Sequence, residues 1–302
     1  MGGSAIAADL ARSLFHAETE EPFLLTRGPQ LPQAVGPRST VFLLSYSGET
    51  WETLAAYDDA GRRGAQRIAI SSGGTLAQRA EHDSVPFLLV PPGSPPRFAA
   101  GYMLGGLLGV LDPAFPESIQ PRLNRAASSL EERIGSFLDG GSLPARWARN
   151  VGHRIPFIYS DPEFVPLARR WKTQVEENAK RLAVCDEYPE ILHNSIVGWD
   201  AIPRRLAREL CVVLLAGTAS ARAHGPRIDH FANLLQRRGV KVQPVSLEFD
   251  DRLEALIVGL SLGDFFSLAL AEYAGVDPYP IDAISRLKRA SRSSRTARPG
   301  PT

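Results

Sequence analysis

Short apolar runs alternate with helical spacing along most of the chain. Phe23–Leu25, Val41–Leu44, Ile68–Ile70 and Phe87–Val90 read as short buried strands. Runs of this length between turn residues fit parallel strands covered on both faces. Between them Trp51–Arg63 and Leu76–His82 carry helical spacing, and Phe98–Leu111 reads as an apolar helix containing glycines. Leu123–Leu138 is amphipathic through Leu130, Ile134, Phe137 and Leu138. The pattern then repeats: strand Pro156–Tyr159, helix Leu167–Leu182, strand Val212–Leu215, helix Ile228–Arg238, strand Val240–Leu247. A long apolar helix, Leu253–Tyr273, and a short one, Ile281–Arg289, close it.

Strand, helix, strand at this spacing implies right-handed crossovers, so the expected fold class is α/β with two tandem parallel sheets flanked by helices. The expected units are 1–138 and 151–290, joined by a linker at 139–150 that opens with Asp-Gly-Gly-Ser-Leu-Pro. Gly2-Gly3-Ser4 leads into an alanine-rich helix and looks like the turn after a strand that no earlier residues can build. The expectation is therefore a first sheet short of one strand, or a start downstream of it.

Charge changes the picture at one end only. The formal net charge is +1, but six basic residues and no acids follow Asp282, leaving 28 basic against 33 acidic residues up to and including it. A body of that sign argues against nucleic acid as a partner. The tail 291–302, rich in Ser, Arg, Pro and Gly, is expected to be disordered. No apolar run reaches the ~20 residues of a membrane span, so no membrane is expected. Cys185 and Cys211 lie in no CxxC or CxxH pattern, which speaks against a disulfide framework or a zinc site. The default compartment is a reducing cytoplasm.

The chemistry concentrates in turns. Ser45-Tyr46-Ser47-Gly48-Glu49-Thr50 follows the strand Val41–Leu44 and precedes a helix. Free amides, the positive helix end and three hydroxyls converge there, which suits phosphate oxygens. The plainer reading makes Ser47 or Thr50 an N-cap. No Lys follows the glycine as in a Walker A loop, and there is no GxGxxG with a downstream acid. Gly2–Ser4 and Ser71–Thr75 are two further glycine-rich turns.

The set MGGS, SYSGET and SSGGTLAQ resembles the sugar isomerase (SIS) domain. Together with PPR at 95–97, EENAK at 176–180, PEILHN at 189–194 and the terminal VDPYPIDAISRLKR, nearly the whole chain is similar to the bifunctional phosphoglucose/phosphomannose isomerase family. The resemblance implies two SIS subdomains, a homodimer, and aldose–ketose interconversion of a 6-phosphosugar with neither metal nor cofactor. It puts phosphate on Gly3, Ser4, Ser45, Ser47 and Thr50. It makes Glu177 the catalytic base and His193 the ring-opening residue, contributed across the dimer interface. Arg97 would face the enediolate, and Lys288 the ring oxygen.

Those residue types suit the reaction. A proton moving between C2 and C1 needs a carboxylate, an enediolate needs a fixed guanidinium, and ring opening near neutral pH suits histidine. Each has an ordinary reading too. Glu177 lies on the flank of the stripe Leu167, Trp171, Val175, Leu182 and could pair with Lys180, and Glu176 is the neighbouring alternative. His193 could cap or fill the core, Arg97 could cap, and Lys288 sits in a basic cluster. Ile281 stands where members carry a Thr tied to use of both C2 epimers. The rivals are therefore a non-catalytic phosphosugar-binding or regulatory SIS protein, and an isomerase of an amino-sugar phosphate.

Overall fold

The computed structural model describes residues 2–287, the side chains of 219–223 excepted. Helix α1 (Gly2–Glu18) begins it, so Gly2–Ser4 is a helical first turn rather than the expected strand-to-helix turn. The strand expected at Phe23–Leu25 does not form; the segment is irregular chain. Then follow β1 (Thr40–Leu44), α2 (Trp51–Arg62), β2 (Gln66–Ser71), α3 (Gly74–His82), β3 (Phe87–Leu89) and α4 (Ala100–Leu111). The three strands are parallel, in the order β1-β2-β3.

Helices α5 (Gln120–Phe137) and α6 (Leu143–Val151) come next. The stretch expected as a linker, 139–150, is thus connecting chain only over 139–142. Ser142 caps α6 by accepting from the Ala145 N–H at 3.2 Å, and Pro144 suits the first turn.

The second half contains β4 (Ile155–Ser160), α7 (Val165–Asn178), β5 (Val184–Glu187), α8 (Ser195–Asp200), α9 (Arg204–Ala207), β6 (Leu210–Ala216), α10 (Thr218–Arg238), β7 (Lys241–Ser246) and α11 (Arg252–Ala274). Its strands are parallel in the order β5-β4-β6-β7. Strand β6 reads Leu-Cys-Val-Val-Leu-Leu-Ala and is buried except at its partly buried last residue, as a central parallel strand must be. Strand β5 escaped the sequence pattern because Val-Cys-Asp-Glu has no apolar run; β4 holds it at the sheet edge. Helix α10 starts ten residues before the expected Ile228, directly after β6. Residues 282–287 are helical, Ile281 is not, and residues 288–289 of the expected last helix, with the tail 291–302, lie outside the described residues.

The two sheets explain the lost strand. By chain order Phe23–Leu25 corresponds to β5, which pairs with β4. Among the described residues β1 pairs only with β2, and nothing equivalent to β4 stands beside it. Phe23 turns onto Phe15, with ring centroids 5.4 Å apart. A cavity of about 490 Å³ remains, lined among others by Phe23, Leu25, Val41, Phe42 and Leu107.

One hydrophobic cluster runs through both halves, from Ile6 on α1 to Leu270 on α11. Helix α1 is also tied to α7 by Asp9 and Arg169 at 3.2 Å, and Ser13 donates to the Glu163 carbonyl at 2.8 Å. Contrary to expectation, α11 is long and apolar enough to cross a membrane, but most of that stretch is buried inside the fold. Trp171 of α7 lies fully buried against it and donates from Nε1 to the Gly259 carbonyl at 2.8 Å. A Cβ at Gly263 would stand 2.2 Å from the Trp171 ring.

On an exposed helix Gly263→Ala would stabilise by about 1 kcal/mol. Here overpacking dominates, and the expected loss is about 2 kcal/mol, read as a lower urea midpoint. An unchanged midpoint would show that α7 and α11 can separate freely.

Arg122 on α5 joins Glu18 of α1 (2.6 Å) to Asp251, the N-cap of α11 (2.7 Å). Hydrogen bonds from Arg122 hold the Asp251 carboxyl below its ordinary range. A lowered native value adds stability above the unfolded pKa of about 3.9, and that stability is lost as pH falls through the native value. Arg122→Met is expected to cost about 2 kcal/mol at neutral pH. It should also reduce the fall in stability below about pH 4, followed by thermal melts against pH.

Candidate active site

Ser45–Thr50 joins the carboxyl end of β1 to the start of α2. Thr50 is the N-cap residue of α2, but its side chain caps no amide. Its Oγ1 accepts from the buried Ser45 hydroxyl at 2.9 Å. Thr50 therefore does not take the capping role that a single hydroxyl would suggest. Ser47 is exposed, and its Oγ accepts from the Glu49 N–H at 3.3 Å.

The three glycine-rich turns meet. Ser4 of α1 is buried and accepts from the Tyr46 N–H at 2.9 Å. The Tyr46 carbonyl accepts from the Ser72 N–H at 3.0 Å and from the Ser72 hydroxyl at 2.6 Å. Gly48, at φ +68°, faces Gly73 so closely that a Cβ would lie 2.0 Å from the Gly73 carbonyl oxygen. Both the backbone angle and the contact demand glycine. The Glu49 carboxylate accepts from the Thr75 N–H at 2.7 Å and locks the two turns together. The Tyr46 hydroxyl donates to the Pro91 carbonyl and accepts from the Ser94 N–H, 2.9 and 3.1 Å away, which ties the turns to the loop before Arg97.

Arg97 lies in a single helical turn, Pro96–Phe98, beside α1. Gly3 makes the approach possible, since a Cβ there would stand 2.6 Å from the Pro96 carbonyl oxygen. The Arg97 side chain is only 3% exposed. Its Nε donates to Asn178 Oδ1 at 3.1 Å, and its Nη2 to the carbonyls of Pro278 (3.2 Å) and Tyr279 (3.0 Å). Its Nη1 stands 3.9 Å from Oε2 of Glu177, so the structure brings together two of the residues singled out from sequence.

Glu177 is not mid-helix as the expected range Leu167–Leu182 implied. Helix α7 ends at Asn178, and Lys180 takes a left-handed φ of +55°. Lys180 Nζ donates to the Glu177 backbone carbonyl at 2.5 Å and to the Pro278 carbonyl at 3.0 Å. The carboxylate of Glu177 is left to face Arg97. Burial, then the neighbouring Arg97 charge, pushes the Lys180 ammonium below its ordinary value. Glu176, the alternative base, is paired with Lys172 at 2.7 Å.

His193 lies exposed after the turn Glu190–Leu192, with no hydrogen bond or ion pair to Glu177 or Arg97 among the described residues. Lys288 lies outside the described residues. No group of three His, Cys, Asp or Glu side chains that could hold a metal ion occurs among the described residues.

Sequence reasoning missed Asn178 and Arg170, and it gave Lys180 only as a partner for the Glu177 side chain. Arg170 is buried, donates to the Arg97 carbonyl at 2.6 Å and pairs with Asp264 at 2.8 Å. Asn178 carried a usable signal: it follows Trp171 by seven residues and Val175 by three, which puts a polar residue on the apolar stripe.

Residues 142–290 match the family model for the bacterial phospho-glucose isomerase C-terminal SIS domain. The bifunctional phosphoglucose/phosphomannose isomerase of Aquifex aeolicus is 32% identical over 289 residues, covering 95% of this chain and 87% of the relative. The protein of the same name from Caldicellulosiruptor bescii is 32% identical over 296 residues, covering 95% and 86%. Among solved structures, hypothetical protein TT0462 from Thermus thermophilus superposes with a TM-score of 0.74 at 15% identity, covering 99% of this chain and 82% of that one. With an α/β fold of parallel sheets, a hydroxyl-lined turn and relatives of this identity over nearly its whole length, the chain belongs to the bifunctional phosphoglucose/phosphomannose isomerase family.

Proposed function

We propose that the protein interconverts the aldose and ketose forms of a 6-phosphosugar, glucose 6-phosphate and fructose 6-phosphate first, with mannose 6-phosphate as a further substrate. The observation that carries this reading is the carboxylate of Glu177 set 3.9 Å from a buried, fully oriented guanidinium. Glu177 takes the proton from C2 or C1 and returns it to the other carbon. Arg97 Nη1 faces the negative charge that develops on the enediolate, in a site where burial keeps the donor fixed. The start of α2 with Ser45, Ser47 and Thr50 takes the phosphate, and Gly3 and Ser4 hold that turn against the Arg97 loop. Binding at this non-reacting group positions the sugar carbons. Lys288 is assigned to the ring oxygen by the family motif. Proton transfer through Glu177 requires no metal, so EDTA is expected to leave turnover unchanged.

His193 makes no hydrogen bond or ion pair to Glu177 or Arg97 of its own chain among the described residues. It belongs to the site of a second copy in a homodimer. The exposed apolar side chains Leu182, Val184 and Val197 lie on the segments around it and support that surface. Both cysteines are free, which supports a cytoplasmic location.

Glu177→Gln is expected to fold as the parent and to lose about 10³-fold or more in kcat with fructose 6-phosphate. It should also lose deuterium wash-in from heavy water at C2 of the product. Parental turnover would remove Glu177 as the base. Saturable phosphosugar binding with no wash-in by the parent chain would make the protein a non-catalytic binder.

Mixing refolded Glu177→Gln and His193→Ala chains, each inactive alone, is expected to restore about a quarter of parental activity, since half the dimers would then hold one intact site. No recovery, with a mass confirmed by light scattering as about twice that of one chain, would place His193 in its own chain's site.

A further inference from the structure

We propose that Asn178, held by Ser267, is a positioning residue that fixes the guanidinium of Arg97 so that Nη1 is the donor left for the reacting carbons. This rests on the catalytic reading of Arg97 given above. A guanidinium has five N–H groups and no acceptor. The Nε–H goes to Asn178 Oδ1 at 3.1 Å, and the two on Nη2 go to the carbonyls of Pro278 and Tyr279. Only the pair on Nη1 remains, on the side of Glu177.

The order of protons along the contact makes the arrangement unique. The Ser267 hydroxyl donates to the Asp264 carbonyl at 2.7 Å, so its single proton is committed. Its oxygen can then only accept, and Asn178 Nδ2 donates to it at 2.9 Å. Asn178 must therefore present Oδ1 to Arg97, which has nothing but donors. Reversing the carboxamide would set donor against donor at the arginine and acceptor against acceptor at the serine. Asn178 and Ser267 are both fully buried, where such a mismatch costs most. The polarity of a hydroxyl on α11 thus reaches the guanidinium through one amide. Arg170 holds the backbone of the same arginine, so side chain and main chain are anchored separately.

The test is a double-mutant cycle on steady-state isomerisation of fructose 6-phosphate. Asn178→Ala is expected to lower kcat by about tenfold or more with KM within about twofold, because a guanidinium free to turn loses alignment rather than substrate contacts. Ser267→Ala, which touches neither Arg97 nor Glu177, is expected to lower kcat by about threefold, because the carboxamide loses its fixed sense. Arg97→Lys has no Nε–H, so in that background Asn178→Ala should have no further effect on kcat. The same factor in both backgrounds would overturn the positioning role while leaving Arg97 catalytic. If Arg97→Lys keeps the parental kcat, the catalytic reading of Arg97 fails and this inference falls with it. Where circular dichroism shows that Asn178→Ala does not fold, the Ser267→Ala cycle decides the matter. Parental kcat in that variant would then overturn the proposal.

Discussion

A charge that is almost wholly removed from water must be held by partners inside the protein, and Arg97 is such a charge at the site. It belongs to the first half of the chain, but the acceptors of its Nε and Nη2 all come from the second. Asn178 closes α7, and the Pro278 and Tyr279 carbonyls follow α11. The side chain can be buried only if the two halves stand in one fixed relation. The continuous core from Ile6 to Leu270, the Asp9–Arg169 pair and the Arg122 junction all maintain that relation. The geometry around Arg97 and the packing of the two halves therefore depend on the same contacts.

Helix ends supply most of the remaining chemistry. At the start of α2 the Thr50 side chain caps no amide, and its Oγ1 accepts from the Ser45 hydroxyl instead. The end of α7 is fastened by a lysine. Its last residues turn out of the helix at Lys180, whose ammonium satisfies the Glu177 carbonyl and reaches across to Pro278. That arrangement fastens the segment after α11 against the site. It also leaves the Glu177 carboxylate unclaimed by the lysine that its spacing suggested as a partner.

Close helix packing makes these placements reproducible. Trp171 can sit on α11 only because position 263 carries no side chain, and its indole N–H is satisfied by the carbonyl of Gly259. The contact lies six residues before Glu177 on α7. The axial position of the carboxylate follows from it, since a buried indole against bare backbone allows little sliding.

Parallel strands, the helices between them and the hydroxyl turn at 45–50 were legible from the residue pattern, and the candidacy of Arg97 and Glu177 came from the resemblance that PPR and EENAK carry. Strands covered on both faces need uninterrupted apolar runs, and a phosphate turn needs hydroxyls and glycine in adjacent positions, so local pattern and chemistry coincide there. The tertiary structure alone decided the rest. Phe23–Leu25 has the composition of a strand but no strand beside it to pair with, and backbone pairing is not a property of one segment. Val184–Glu187 lacks that composition and is a strand because β4 offers it hydrogen bonds. The end of α7 at Asn178 and the use of Asn178 and of two backbone carbonyls as acceptors depend on residues up to about 180 positions apart meeting in space. No periodicity within a segment encodes such meetings, because their cause is the burial of one guanidinium between two halves of a fold.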